Sequence, residues 1–151
     1  MSLPQFSQLL EANLLANLAL LIVDNSSDER ELLSMLFQEY GAQTIAVYSA
    51  SEALAVLEWS RPDVIISELV LKPEDGYSLI ADIRSRSTSI SRIPILSFTT
   101  AAKESDRAAA LSAGFDAHLP KPTDIDTIVA TVAHLARSQQ PIFDCSSNAY
   151  N

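Results

Sequence analysis

The run Leu18–Val23 (LALLIV) is apolar at every position and ends on Asp24. A strand with one wet face alternates apolar and polar residues, so an unbroken apolar run predicts a strand covered on both faces, as in parallel sheets. Four shorter segments share that character: Thr44–Tyr48, Asp63–Ser67, Pro94–Phe98 and Ala117–Leu119. Helical patterns lie between them. Ser26 and Glu29 have the spacing of a capping box, and Leu32, Leu33, Leu36 and Phe37 recur at helical intervals until Gly41. Ser49 and Glu52 repeat the capping spacing ahead of Ala53, Leu54, Val56 and Leu57, with Arg61–Pro62 expected to end that helix. Gly76 opens a helix carrying Leu79, Ile80 and Ile83; Ser85–Arg92 reads as a loop; Lys103–Ala113 is Ala-rich and stops at Gly114; Asp124–Arg137 forms a last helix. Trp59 is expected to close the second helix against the core, and His134 to be exposed on the last one.

Alternation of this kind predicts an α/β fold, a parallel sheet with helices on both faces. Such sheets work from the loops at the carboxyl ends of their strands. The polar residues placed there are Asp24, Asn25, Glu68, Thr99, Thr100 and Lys121.

Composition narrows the function. The chain has 151 residues, 48% of them hydrophobic, enough for one buried core with short flanks. Its net charge of -9 argues against direct nucleic-acid binding, which depends on Lys and Arg neutralising phosphates. The single cysteine, Cys145, excludes an intramolecular disulfide and fits a reducing, cytoplasmic setting. No apolar run approaches the roughly 20 residues of a membrane span, and no basic start marks a secretory signal. Neither a Ser-His-Asp spacing nor a glycine-rich phosphate loop is present, so an enzyme or small-ligand binder on this sheet is the least favoured reading. The flanks are expected to be an N-terminal helical extension over residues 1–17, with Leu9, Leu10, Leu14 and Leu15 on one face, and a flexible tail over 139–151 carrying Ile142 and Phe143. The extension either packs on the domain or forms a dimer or partner contact.

In order and spacing, LLIVDN, DVIISELVLKPEDGY, PILSFTT and SAGFDAHLPKP resemble the receiver domain of two-component response regulators over roughly Leu18–Arg137. The resemblance implies a flavodoxin-like sheet of strand order 2-1-3-4-5. It implies an acidic pair for magnesium after the first strand, a phosphoacceptor aspartate after the third, and a hydroxyl and a lysine that contact phosphate, here Thr99 and Lys121. It also implies a cis bond before Pro122 and a fifth-strand aromatic that reports the state. Three positions depart. Asn25 replaces the second acidic residue, Glu68 stands at the phosphoacceptor position, and His118 occupies the aromatic position. Asn offers a neutral oxygen where Asp offers charge, so any magnesium held by Asp24, Glu68 and the Val70 backbone should be weak or absent. One extra methylene moves the Glu68 carboxylate by roughly 1.5 Å, and misplacement on that scale can cost on the order of 100-fold in transfer.

These departures predict a stand-alone pseudo-receiver that is not phosphorylated and works by binding proteins. The alternative is a weak, magnesium-dependent phosphoacceptor. Glu68 paired with Lys121 and Thr99 would hold either an active-like conformer, which the persistence of Lys121 and Thr99 favours, or a frozen inactive one. The bland alternative is a satisfied polar cluster without function. His118 either couples a rotamer to its charge or simply packs at an edge. The expected partner is a sensor kinase or output protein that meets the last two helices and fifth strand, near Lys103, Arg107, Ile125 and Val129, with a homodimer also open. No appended output domain is expected, so any effect passes through another protein or through the chain's own flanks.

Overall fold

The computed structural model describes residues 12–138. The sequence-predicted residues Leu9, Leu10, Cys145, Ile142 and Phe143 lie outside that range. The elements in order are β1 (Ala19–Val23), α1 (Ser27–Glu39), β2 (Gln43–Val47), α2 (Ala50–Leu57), β3 (Val64–Ser67), α3 (Gly76–Arg84), β4 (Ile95–Thr99), α4 (Glu104–Ala113), β5 (Ala117–Pro120) and α5 (Ile125–Ser138). The five strands form one parallel sheet of order β2-β1-β3-β4-β5, which is the flavodoxin-like topology. Its central strands β1, β3 and β4 are almost wholly buried, as their apolar runs require.

The period of two along each strand divides the core into two layers. Leu21, Val23, Ile65 and Ile95 face the layer that contains Val56, Leu79, Ile83 and Ala110. Leu20, Ile22, Val64, Ile66 and Leu96 face the layer that contains Leu33, Phe37, Ile128, Val132 and Ala136. Each fully buried Leu, Ile or Phe contributes about 1.5–3 kcal/mol by leaving water, so the sheet and not any single loop sets where the strand ends lie.

Only the serine half of each expected capping box forms: Ser26 Oγ accepts from the Glu29 N–H at 3.2 Å, and Ser49 Oγ from the Glu52 N–H at 3.1 Å, while the Ser26 N–H donates to Asp24 Oδ1 and the Glu52 carboxylate accepts from the Tyr48 N–H, one residue before the cap. Asp75 caps α3 by accepting from the Ser78 N–H at 2.9 Å. Several details differ from the sequence reading. Helix α2 ends at Leu57, several residues before Arg61–Pro62, and leaves Trp59 69% exposed, so it does not close the helix on the core. Part of the expected Ser85–Arg92 loop is a 3-10 turn, Ser89–Arg92, capped by Thr88 and pinned by Ile90 in the core. Val129 is a buried core residue and is not available to a partner. His134 is exposed. Of the N-terminal extension, Leu15 is fully buried and its N–H donates to the Tyr40 carbonyl at 2.9 Å, while Leu14 is exposed. Gly41, at φ +98°, turns the chain beside it; a Cβ there would lie 3.0 Å from the Ala16 backbone.

Candidate functional site

Four strands end at one edge of the sheet and deliver their polar residues there. Asp24 follows β1 with its N–H bonded to Val47 O, and Glu68 follows β3 with its N–H bonded to Val23 O. The ladder thus continues one residue past each strand and fixes both carboxylates side by side. Thr99 ends β4 and Lys121 follows β5; Lys121 N–H donates to Thr99 O at 2.8 Å. The Lys121–Pro122 bond is cis, and so is Lys72–Pro73, which the sequence did not indicate.

Lys121 Nζ lies 2.7 Å from Asp24 Oδ2 and 3.0 Å from Glu68 Oε1. Thr99 Oγ1 donates to Glu68 Oε2, and that same oxygen accepts the N–H groups of Leu69 at 2.8 Å and Val70 at 3.0 Å. Asp24 Oδ1 accepts from the Ser26 N–H at 2.9 Å. All these side chains are deep: Lys121 is 11%, Asp24 6% and Glu68 7% exposed. Burial pushes the Glu68 carboxyl up, and the Thr99 hydroxyl, the Val70 N–H and the Lys121 ammonium outweigh it, holding the group below its ordinary value. Burial pushes Lys121 down, and hydrogen bonds and charge from Asp24 and Glu68 outweigh that, holding it above its ordinary value.

Two residues of the expected site are elsewhere. Asn25 does not join the acidic pocket. Its Nδ2 donates to Tyr48 O at 2.5 Å and Lys72 O at 3.3 Å, and its Oδ1 accepts the Lys72 N–H at 2.9 Å, so it ties β1 to the loop after β3. Thr100 is exposed. Val70 contributes its N–H to Glu68. Glu29 was not foreseen: its Oε1 lies 3.8 Å from Lys121 Nζ, buried and without a hydrogen bond. Its place in the first turn of α1, three residues after the Ser26 cap, was the available signal. Gly76 was read only as a helix start, yet a Cβ there would lie 2.6 Å from Glu68 O. His118 is buried in β5, with Nδ1 2.7 Å from Ser97 Oγ and Nε2 lacking a partner. Burial and Arg107 lower its pKa against the opposing pull of Asp106, the Ala101 carbonyl and Glu104.

This arrangement does not fit a magnesium ion. A divalent cation needs carboxylate oxygens free to face it, and here the lysine ammonium sits between the two carboxylates, on Asp24 Oδ2 and Glu68 Oε1, while Glu68 Oε2 is taken by Thr99 and two backbone N–H groups and Asp24 Oδ1 by the Ser26 N–H. The neutral Asn25 oxygen is engaged by Lys72. Among the described residues, no three His, Cys, Asp or Glu side chains are grouped so as to hold a metal. No helix among them is long and apolar enough to cross a membrane.

The sheet order, with its polar cluster at the carboxyl ends of β1, β3, β4 and β5, places the chain among the flavodoxin-like α/β proteins. Residues 20–133 match the family model for the response regulator receiver domain, and the chain belongs to that family. It is 36% identical over 110 residues to an uncharacterised 14.6 kDa protein of Leptolyngbya boryana, covering 73% of this chain and 83% of that one. It is 34% identical to the hybrid signal transduction histidine kinase D of Dictyostelium discoideum over 74% of this chain but only 8% of that protein. Among solved structures, the signal receiver domain of a signal transduction histidine kinase from Syntrophus aciditrophicus superposes with a TM-score of 0.76 at 28% identity, covering 82% of this chain and 93% of that one. The chain is a receiver domain of two-component signalling.

Proposed function

We propose that this receiver works without aspartyl phosphorylation, as a non-enzymatic protein-binding module of a two-component pathway. The observation that carries the proposal is the position of Lys121, whose ammonium takes the place of a cation between Asp24 and Glu68. An acceptor carboxylate needs a free oxygen in line with the phosphodonor and a metal to neutralise the developing charge. Glu68 has neither: Oε2 accepts three hydrogen bonds and Oε1 is paired with Lys121.

The same contacts favour the active-like conformer over the frozen inactive one. Thr99 and Lys121, the residues that the family resemblance assigns to phosphate, already close on the glutamate carboxylate. His118, at the reporter position, is turned inward onto Ser97. One carboxylate charge thereby does part of what a phosphoryl group of up to two charges would do. The partner is a sensor kinase or output protein in the same compartment, the cytoplasm, and it meets the exposed residues of α4 and the start of α5, including Lys103, Arg107 and Ile125.

Treatment of the whole chain with a small phosphodonor and magnesium, read by intact mass, tests this. No phosphoryl adduct is expected on the native protein, and one should appear when Glu68→Asp is combined with Asn25→Asp. A labile adduct on native Glu68 would overturn the proposal in favour of a weak, magnesium-dependent phosphoacceptor.

A further inference from the structure

The imidazole of His118 stands apart from the Lys121 cluster, on the other side of the sheet. Ala117 and Leu119 pack into the core layer under α1 and α5, so the period of two along β5 turns His118 toward the opposite layer, beneath α4. There it pairs in register with Ser97 of β4 and is buried. Nδ1 meets Ser97 Oγ at 2.7 Å, while Nε2 is shut off from water without a hydrogen bond. A ring nitrogen in that position is uncommon, because buried polar atoms are nearly always paired.

The groups that act on the ring belong to the stretch leading into α4. Asp106, the Ala101 carbonyl and Glu104 favour a proton on it, and Arg107 opposes one. Strands β4 and β5 carry no charged side chain. On α3, Asp82 is paired with Arg86, and Arg84 with Asp116. The same stretch is also tied to the Glu68 site. Ala101 N–H donates to Thr99 Oγ1 at 3.0 Å, and that hydroxyl donates to Glu68 Oε2. Ala101 therefore lies between the histidine and the glutamate. Asp106 Oδ2 accepts the Lys103 N–H at 3.0 Å, which sets the first turn of α4.

We propose that His118 is a proton-sensitive link between the exposed face of α4 and the Glu68 cluster. A protonated imidazole donates from both nitrogens. The acceptors around it are the Ala101 carbonyl and the Asp106 and Glu104 carboxylates, so the charged ring draws that stretch inward and repels Arg107 outward. Through Ala101 it pulls on the Thr99 hydroxyl that holds Glu68. Acidification below neutrality thus reshapes the α4 face without a phosphoryl group. This rests on the reading above that Lys103 and Arg107 belong to the partner face.

The test follows the ring and amide signals of the full-length, untagged chain by nuclear magnetic resonance from about pH 8 to about pH 5, the range in which histidine changes charge. His134→Gln leaves His118 as the sole imidazole. The amides of Thr99, Ala101 and Arg107 are expected to shift with the same midpoint as the ring. Arg107→Gln removes an exposed cation and should move that common midpoint upward. His118→Phe should abolish the amide shifts over this range; if that variant fails to fold, the Arg107→Gln comparison decides. A ring that does not titrate in the range, or one that titrates while the Thr99 and Ala101 amides stay still, overturns the proposal. Neither result bears on the phosphorylation reading, which the mass of the phosphodonor-treated chain tests separately.

Discussion

The ammonium of Lys121 lies 3.0 Å from the Glu68 carboxylate, and both groups are close to fully buried. The lysine also holds Asp24, so one cation balances two buried carboxylates. Removing one partner of a buried ion pair leaves an uncompensated charge, whose cost exceeds the net worth of the pair.

Lys121→Met therefore destabilises the fold by about 3–5 kcal/mol. Urea unfolding measures it, and adding Glu68→Gln should return part of the loss because one stranded charge is gone. Unchanged stability in the single variant would show that the two carboxylates do not depend on the lysine.

Stability should form a plateau between the carboxylate and lysine ranges. Glu68 is held below its ordinary value of 4.5, so its contribution is present above that pH and disappears as pH falls through the depressed folded value. Lys121 is held above its ordinary value of 10.5, so its contribution is present below that pH and disappears as pH rises through the raised folded value. Unfolding free energy measured against pH should lose its steepest acid component in Glu68→Gln.

A second and milder acid component should come from His118. Its folded pKa is lowered by burial and by Arg107, so its contribution is present above the ordinary value of 6.5 and disappears as pH falls through the lower folded value. His118→Phe should flatten the curve just below neutrality without altering the carboxylate limb. A profile identical to the native one there would mean that the ring does not titrate with unfolding.

Asn25→Asp converts a strut into a repulsion. The amide that donates to Tyr48 O and Lys72 O becomes a carboxylate facing two carbonyls. The expected loss is about 1–3 kcal/mol, with faster amide exchange through the loop after β3. A protein as stable as native, with unchanged exchange at Lys72, would contradict the assignment of Asn25 to this tie.

Gly76→Ala reaches the site from behind. The new Cβ would lie 2.6 Å from Glu68 O and 2.9 Å from Leu69 Cα, both backbone atoms that cannot swing aside. Overpacking of this kind costs about 1–3 kcal/mol, and nuclear magnetic resonance shifts of Glu68 and Thr99 should move with it. Native-like shifts would show that the loop absorbs the methyl group elsewhere.

The strands were legible because an apolar run buried on both faces is a local property, as were the Ser26 and Ser49 caps, which need only a hydroxyl and an N–H three residues apart. Trp59 and Val129 were misplaced for one reason: helical spacing gives a stripe, but which side of the stripe meets the sheet depends on where the helix stops and crosses. The 3-10 turn at Ser89–Arg92 was hidden because serines cap turns and fill loops alike, and only the pocket around Ile90 distinguishes them.

For the site, sequence by itself determined which groups stand at the strand ends: a glutamate after β3, a lysine after β5, a hydroxyl at the end of β4 and an asparagine beside Asp24. Their chemistry travels with the residue type, so the likeness to a receiver was visible without coordinates. Only the tertiary structure decided that Lys121 would bridge both carboxylates, that Asn25 would turn away to hold Tyr48 and Lys72, and that Glu29 would stand beside the lysine. Those partnerships join residues from different elements of the fold, and Lys121 and Asp24 are 97 positions apart. Ångström differences set by sheet register choose among donors and acceptors that the chain alone leaves equivalent.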